Sequence, residues 1–455
     1  MNDKDKDNKN TDDIRKLTEL AKQVAEVISG YSHVRVISHN DADGITSAAI
    51  ICQALHRNNT QFHATIVSRL DESVIDIVNS TASEGDLVLF CDMGCGQLDL
   101  IEKVSQDVVI IDHHQPVGES PANGKIKAVI NPHFVGIDGA IHLSASGTTY
   151  MVVRQMSERN VDLSGLAIAG AVGDKQLFES ANRSILDEAL KNNVISIKKG
   201  LKVGSGDIAD VLEYTCEPYL DITGDRKKID AFLDFLDLHG EISSMSAGDL
   251  KKLTSAVALK LAKHASPEAV DAAIGDVYVL DREIVQNSYD LVAIMNTCGK
   301  MDKAGVALSL CMKDASVVDE TRVLSVEHQK STVADIKKAE KMLQQGKNMW
   351  YLNATNMEST GIIASTVVRY IHPDQPFVAI NEVDDIVKVS ARGTRALIAK
   401  GLDLSYALRE GAKAVGGSGG GHNIASGASI PKGKSEEFIS IVDDIIGEQL
   451  KTSLG

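Results

Sequence analysis

The 455-residue sequence contains no uncharged apolar stretch as long as the roughly 18 residues a membrane-spanning helix needs, so no membrane span is predicted. Its six cysteines, at positions 52, 91, 95, 216, 298 and 311, lack the spacing of a disulfide framework. They read as reduced thiols of a cytoplasmic protein. Cys91 and Cys95 bracket Asp92, but no second Cys or His pair completes a zinc site there. No apolar core of a signal peptide precedes the first helix. Residues 1–13 are mostly Asn, Asp and Lys and read as a solvated, disordered tail. A basic excess is missing too. Lys and Arg number 47 against 63 Asp and Glu, and the net charge of −16 argues against a broad nucleic-acid surface. One segment departs from this: between Ile386 and Lys413 stand Lys388, Arg392, Arg395, Lys400, Arg409 and Lys413, against Asp403 and Glu410. That charge suits a phosphate backbone. Two nucleotide signatures are absent. Gly433-Lys434-Ser435 would end a P-loop, but Ala428 stands where its first glycine must be, and residues 416–422 do not fit G-x-G-x-x-G.

What is present is an ordinary globular balance, 43% apolar and 24% charged, in a chain too long for one core. Two or three domains are expected. Residues 14–29 have the spacing of an amphipathic helix. From Val34 to about Leu177, short apolar strands alternate with helices such as residues 45–56, with further helices over 147–158 and 166–172. This is the rhythm of a parallel sheet covered on both faces. Residues 184–344 are mostly helical, notably 227–238, 247–263 and 331–344, with breaks at 200–206 and Glu217-Pro218. Strand signals return at Trp350-Tyr351-Leu352, at 377–380 and at 387–390, before a glycine run over 416–422. The expected organisation is a tail and helix (1–30), an α/β domain (31–180), a mostly helical insertion (181–345) and a smaller α/β domain (346–455). An active-site cleft is expected between the two α/β domains.

Three strand-like runs end in metal-binding residue types. Val34-Arg35-Val36-Ile37 leads into His39-Asn40-Asp41-Ala42-Asp43-Gly44, Asp86-Leu87-Val88-Leu89-Phe90 into Asp92, and Val108-Val109-Ile110-Ile111 into Asp112-His113-His114. Parallel α/β sheets place their chemistry at that carboxyl edge. Carboxylates mixed with imidazole suit Mn²⁺ or Mg²⁺ better than zinc. More than four such groups suggest two metals with one bridging carboxylate. The competing reading is that Asp41 and Asp43 merely cap the next helix. Asp174, after Gly173, reads alone as a surface turn. His133 and His142 read as structural, while Ser144, Ser146 and Thr148 could line the cleft. Trp350 and Tyr351 read as core, with base stacking as the alternative.

The ordered set His39, Asp41, Asp43, Asp92, Asp112-His113-His114 and Asp174 resembles the DHH phosphoesterase superfamily. Ser390-Ala391-Arg392 with Gly419-Gly420-Gly421-His422 resembles its associated DHHA1 domain. That superfamily includes RecJ single-strand exonucleases, oligoribonucleotide phosphodiesterases and manganese pyrophosphatases. Pro218-Tyr219-Leu220, Thr223-Gly224-Asp225 and the run from Leu291 through Asn296 to Lys300 resemble the archaeal RecJ-like group, which includes a nuclease associated with the GINS replication complex. The resemblance implies two divalent metals, Mn²⁺ foremost and Mg²⁺ as the alternative, held by Asp41, Asp43, Asp92, His113 and Asp174, with Asp92 as the bridge. Ile37 stands where the pyrophosphatase branch has a histidine, and His39 is read as its replacement. The resemblance also implies that Asp112 supports an imidazole from behind and that His114 faces the scissile phosphate. Arg392, Gly419, Gly420, Gly421 and His422 would bind substrate. The expected activity is exonucleolytic hydrolysis of single-stranded DNA or RNA to mononucleotides by water activated between the metals. The alternatives are a phosphodiesterase for short RNA or cyclic dinucleotides, and a GINS-binding replication scaffold.

Overall fold

The computed structural model describes residues 3–118, 124–354, 357, 359–383 and 386–452. Contacts divide the chain into two compact units, Met1–Lys198 with Val277–Ser325 and Lys199–Asp276 with Val326–Gly455.

The first unit is built on five parallel strands, β1 (His33–His39), β2 (Gln61–Val67), β3 (Leu87–Cys91), β4 (Asp107–Ile111) and β5 (Ile126–Ile130). Their order is β2-β1-β3-β4-β5. β3 and β4 are legible as nearly unbroken apolar runs, and β1 as one interrupted by the buried Arg35, because all three are buried on both faces. β2 and β5 lie at the sheet edges, mix polar with apolar residues, and give a weaker signal. The Ala42–Arg57 helix is buried over nearly its whole surface because the Ala145–Met156 and Ser164–Gly173 helices pack on it. A further helix, Asp3–Ser29, buries Leu17, Ala21, Val24 and Ile28. It begins about three turns before Ile14, so residues 3–13, expected as a disordered tail, are helical here; residues 1 and 2 lie outside the described residues. Arg15 and Lys16 pair with Asp12 at 2.7 and 2.6 Å, and Asp13 is buried, which ties this turn to the helix.

The mostly helical segment contributes to both units. Ser288–Lys300 and Ala304–Cys311 belong to the first and pack beside Ala42–Arg57. Strands β6 (Ile195–Leu201) and β7 (Ile274–Leu280) pair as a two-stranded ribbon where the chain crosses from one unit to the other. The second unit holds the Ile208–Tyr214, Arg226–Leu236 and Ala247–Leu261 helices, the end of the Val318–Glu340 helix, and a six-stranded sheet. Its strands are β8 (Gln344–Gln345), β9 (Trp350–Asn353), β10 (Phe377–Val383), β11 (Ile386–Arg392), β12 (Ser418–Gly421) and β13 (Ala425–Pro431). They run in the order β12-β13-β11-β10-β9-β8, with only β9 and β10 parallel. Both faces are covered: Phe377 and Ala379 enter one core, and their neighbours Val378 and Ile380 enter the other.

Most of the glycine run forms an edge strand, β12. A Cβ on Gly419 would lie 2.7 Å from the Leu408 carbonyl oxygen, so only glycine lets β12 lie this close to the Leu404–Ala414 helix. Trp350 stacks flat on His372, with centroids 3.9 Å apart and an interplanar angle of 5°.

Candidate metal centre

Parallel pairing places the three strand ends side by side. Ser38 pairs with Cys91, and Cys91 with Ile111. The next residues, His39, Asp92 and Asp112, therefore emerge together at the carboxyl edge. The turn after β1 is pinned from several directions. Asp41 caps the Ala42–Arg57 helix, its Oδ1 accepting from Gly44 N at 3.0 Å, so the capping expectation holds for this residue. Its other oxygen meets His39 Nδ1 at 2.9 Å, so capping and clustering coexist. Ser38 Oγ donates to Gly44 O at 2.7 Å, while Asn296 Oδ1 accepts from Ala42 N and Asn40 Nδ2 donates to Gly299 O, each at 2.9 Å. A Cβ on Gly299 would overlap the Asn40 carbonyl oxygen. The run from Leu291 to Lys300, singled out in the sequence for its resemblance alone, is thus the buttress of this turn.

Asp43 does not cap its own helix. Fully buried, it accepts from Ala145 N at 2.7 Å and Ser146 N at 3.0 Å, at the start of the 12-residue Ala145–Met156 helix. Those amides and the positive helix end offset its charge. Gly170, on the Ser164–Gly173 helix, admits this approach, since a Cβ there would strike Ser146 Oγ and Asp43 Oδ1. Asp174 ends that helix and arrives at the same place.

His113 defines the centre. Its Nδ1 lies 2.8 Å from the Gly139 carbonyl, which can only accept, so Nδ1 carries a proton and Nε2 is the nitrogen left for a cation or a second proton. Gln176 Nε2 donates to the same carbonyl at 2.8 Å, and Asn182 Nδ2 donates to Gln176 Oε1 at 2.8 Å. Sequence reasoning missed this orienting chain, for its members lie about 26 to 69 positions from His113. Nε2 faces Asp92 Oδ1 at 3.3 Å, Asp174 Oδ2 at 3.5 Å and Asp43 Oδ2 at 3.8 Å. Asp92 Oδ1 is buried without a hydrogen-bond partner, and its Oδ2 lies 3.5 Å from His39 Nδ1. The backbone of Asp92 is left-handed, φ +59°, which turns its carboxylate into the cluster.

Three ligand groups result, each with donor atoms within 4.8 Å of one another: His39, Asp41 and Asp92; Asp92, His113 and His114; Asp43, His113 and Asp174. All six residues predicted as ligands therefore converge, and Asp92 joins two groups. His133 and His142 are in none of them. Electrostatics show what the cluster lacks. Burial, reinforced by Asp92, raises the Asp43 carboxyl above its usual value, and burial with Asp43 pushes Asp174 up to about 9. Burial opposes a charge on His113, but Asp92, Asp43 and Asp174 outweigh it and raise its pKa well above the usual range. Hydrogen bonding to Asp41 and then Asp92 raises His39 to about 10. Each shift is the response of crowded, buried negative charge, which a cation at the centre would offset. Oxygen donors with one or two imidazoles fit a hard divalent cation.

Asp112 is fully buried and belongs to none of the three groups. It accepts from Cys95 N at 2.9 Å, His113 N at 2.7 Å, His114 N at 3.1 Å and His114 Nδ1 at 2.9 Å. Burial alone would raise the Asp112 carboxyl, but its bond to His114 prevails and lowers it, and the same bond raises His114. The His114 side chain is 57% exposed, so its Nε2 is left to the outside.

In the second unit, register brings the other predicted residues to one end of the sheet. Arg392 on β11 pairs with Ala425 on β13, and Gly421 on β12 pairs with Ser426, with His422 exposed in the intervening turn. Among the described residues the Arg392 guanidinium bonds only to its neighbour's carbonyl, Ala391 O at 2.9 Å, and burial lowers its pKa. A Cβ on Gly420 would meet nothing within 4 Å, which leaves that stretch of backbone open to a ligand.

A parallel sheet carrying clustered carboxylates and histidines at its carboxyl edge, together with a glycine-edged sheet unit, is the DHH and DHHA1 architecture of a phosphoesterase of the hydrolase class. The chain belongs to the DHH family: the DHH family N-terminal domain matches residues 33–172 and the DHHA1 domain residues 347–448. An uncharacterised protein of Methanocaldococcus jannaschii is 32% identical over 444 residues, covering 96% of this chain and 98% of that one. The single-stranded-DNA-specific exonuclease RecJ of Bacillus subtilis is 24% identical over 228 residues, 47% of this chain but 29% of RecJ. The structure of RecJ from Thermus thermophilus in complex with Mn²⁺ shares the fold, with a TM-score of 0.59 at 17% identity over 95% of this chain and 55% of that one. The chain thus spans about half or less of these two RecJ proteins.

Proposed function

We propose that this protein is a metal-dependent phosphodiesterase that acts as an exonuclease on single-stranded DNA or RNA. One observation carries the reading. Nε2 of His113, oriented by the Nδ1 bond to Gly139, converges with Asp43, Asp92 and Asp174 on a point where the carboxylates repel one another unless a cation or protons fill it. His39, Asp41 and Asp92 would hold one divalent ion, and Asp43, Asp92, His113 and Asp174 a second, with Mn²⁺ or Mg²⁺ as the ions that suit these donors. Such ions would supply Lewis-acid polarisation of a phosphodiester and lower the pKa of water.

The chain's own residues do the rest. Asp112 holds His114 Nδ1–H, which aims Nε2 outward, where it can donate to a phosphate or leaving-group oxygen. Arg392 would pair with a backbone phosphate through its planar fork, while Gly419, Gly420, Gly421 and His422 would let that backbone approach β12. A strand specificity is supported by the RecJ relatives and by the basic character of residues 386–413 within an acidic chain. The GINS complex is the partner to test next, on the resemblance of the central segment.

The deciding experiment is degradation of end-labelled single-stranded DNA and RNA with Mn²⁺ and with Mg²⁺. Metal-dependent release of mononucleotides is expected. No hydrolysis of any phosphodiester overturns the enzyme, and faster turnover of a dinucleotide than of a long strand redirects it to short substrates.

A further inference from the structure

Away from both constellations, the second unit carries a basic pocket of ≈ 440 Å³. Val333 and Tyr214 line it, and Lys330, Lys337, Lys338 and Lys341 surround it. Lys330, Lys337 and Lys341 recur at i, i+7 and i+11 on and just past the Val318–Glu340 helix, so they share a face over about 16 Å of its axis. The Lys330 ammonium lies 4.9 Å from the centre of the half-buried Tyr214 ring. Few carboxylates compete for these lysines. Lys337 reaches Glu340 at 3.4 Å, and Glu213 on the rim is held by Arg226 at 3.0 Å. Lys330, Lys338 and Lys341 are exposed and make no ion pair among the described residues. In a chain of net charge −16, four clustered lysines beside an aromatic ring depart sharply from the average surface.

Lysines serve phosphates as point charges, and an aromatic ring accepts the face of any base. We propose that this pocket is an accessory site for the backbone of single-stranded nucleic acid, with Lys330, Lys338 and Lys341 on phosphates and Tyr214 against a base. The choice of polymer rests on the function proposed above; the pocket does not. An acidic protein segment would satisfy the lysines but make no use of the ring.

The test is fluorescence anisotropy of a labelled single-stranded oligonucleotide with the full chain in EDTA, where hydrolysis does not intrude. The combined Lys330→Gln, Lys338→Gln and Lys341→Gln variant is expected to weaken binding at least about tenfold and to lower the slope of log Kd against log salt by about two. Tyr214→Leu is expected to weaken binding by about tenfold with the slope unchanged. A control triple, Lys251→Gln, Lys252→Gln and Lys263→Gln, removes equal charge from exposed positions of the same unit. An equal loss in the control overturns the site. So does a silent Tyr214→Leu with polyglutamate competing as well as the oligonucleotide, which would mark a protein partner. A mononucleotide that binds as tightly as the polymer overturns it in favour of a free nucleotide. Metal-dependent hydrolysis of bis(p-nitrophenyl) phosphate reports separately on the proposed enzyme. Its absence with lysine-dependent binding intact fails that function and leaves the site standing; the reverse result fails the site alone.

Discussion

Replacing Asp92 with asparagine separates the two things that residue does. Its carboxylate is almost wholly buried and joins two ligand groups, with one oxygen 3.3 Å from His113 and the other 3.5 Å from His39. Asparagine keeps the shape and tolerates the left-handed backbone at φ +59°, so the change removes charge with little strain. At about 4 Å and an effective dielectric near 20, two unit charges interact by about 4 kcal/mol. Losing that term against bound cations costs about a thousandfold in activity, and more where each ion carries two charges. The metal-free protein should respond the other way. Asp92 raises the carboxyls of Asp43 and Asp174 by repulsion, so neutralising it relieves the cluster. Asp92→Asn is therefore expected to melt higher than the parent in EDTA, to lose the upward shift on adding Mn²⁺, and to lose metal-dependent hydrolysis. Calorimetric titration with Mn²⁺ gives the stoichiometry lost. Activity within about tenfold of the parent at full metal occupancy would refute the bridging role, and a lower melting point in EDTA would refute the electrostatic account.

Other outcomes follow from the same geometry. Asp174 has a folded value of about 9 against an ordinary 3.8, so the stability it contributes is complete below about pH 4 and is lost as pH rises towards 9. Melting in EDTA should fall between about pH 6 and 8.5 while the shift induced by Mg²⁺ grows, and a shrinking shift would contradict the assignment. Asp112→Asn should lower kcat by about 10- to 100-fold with metal binding retained, and should displace the acidic limb of the pH–rate profile, because His114 loses the anion that orients it. Gly170→Ala should cost about 1–3 kcal/mol in denaturant unfolding and reduce metal affinity, since the added methyl strikes Ser146 and Asp43. Arg392→Ala should raise KM for an oligonucleotide while leaving hydrolysis of bis(p-nitrophenyl) phosphate unchanged, and Arg392→Lys should not restore it.

The sequence by itself determined the central strands and most of the candidate ligands. β1, β3 and β4 are buried on both faces, so they appear as mainly apolar runs, broken in β1 by Arg35, and a ligand must follow such a run closely to stand at the sheet edge. That is why His39, Asp41, Asp43, Asp92, His113 and His114 could be named from spacing. Asp174 needed the family resemblance, because one carboxylate after a helix has no local mark. Edge strands β2, β5 and β12 carry little strand signal in the sequence, for pairing on one side demands less of composition. Only the tertiary structure decided how the ligands are held. Gly139, Gln176 and Asn182 fix the tautomer of His113, Asn296 and Gly299 brace the turn after β1, and the Ala145–Met156 helix end accepts Asp43. These contacts join residues far apart in the chain through single hydrogen bonds, and no periodicity or local composition records them. Lone pairs that converge across strands leave their trace in the distances between atoms.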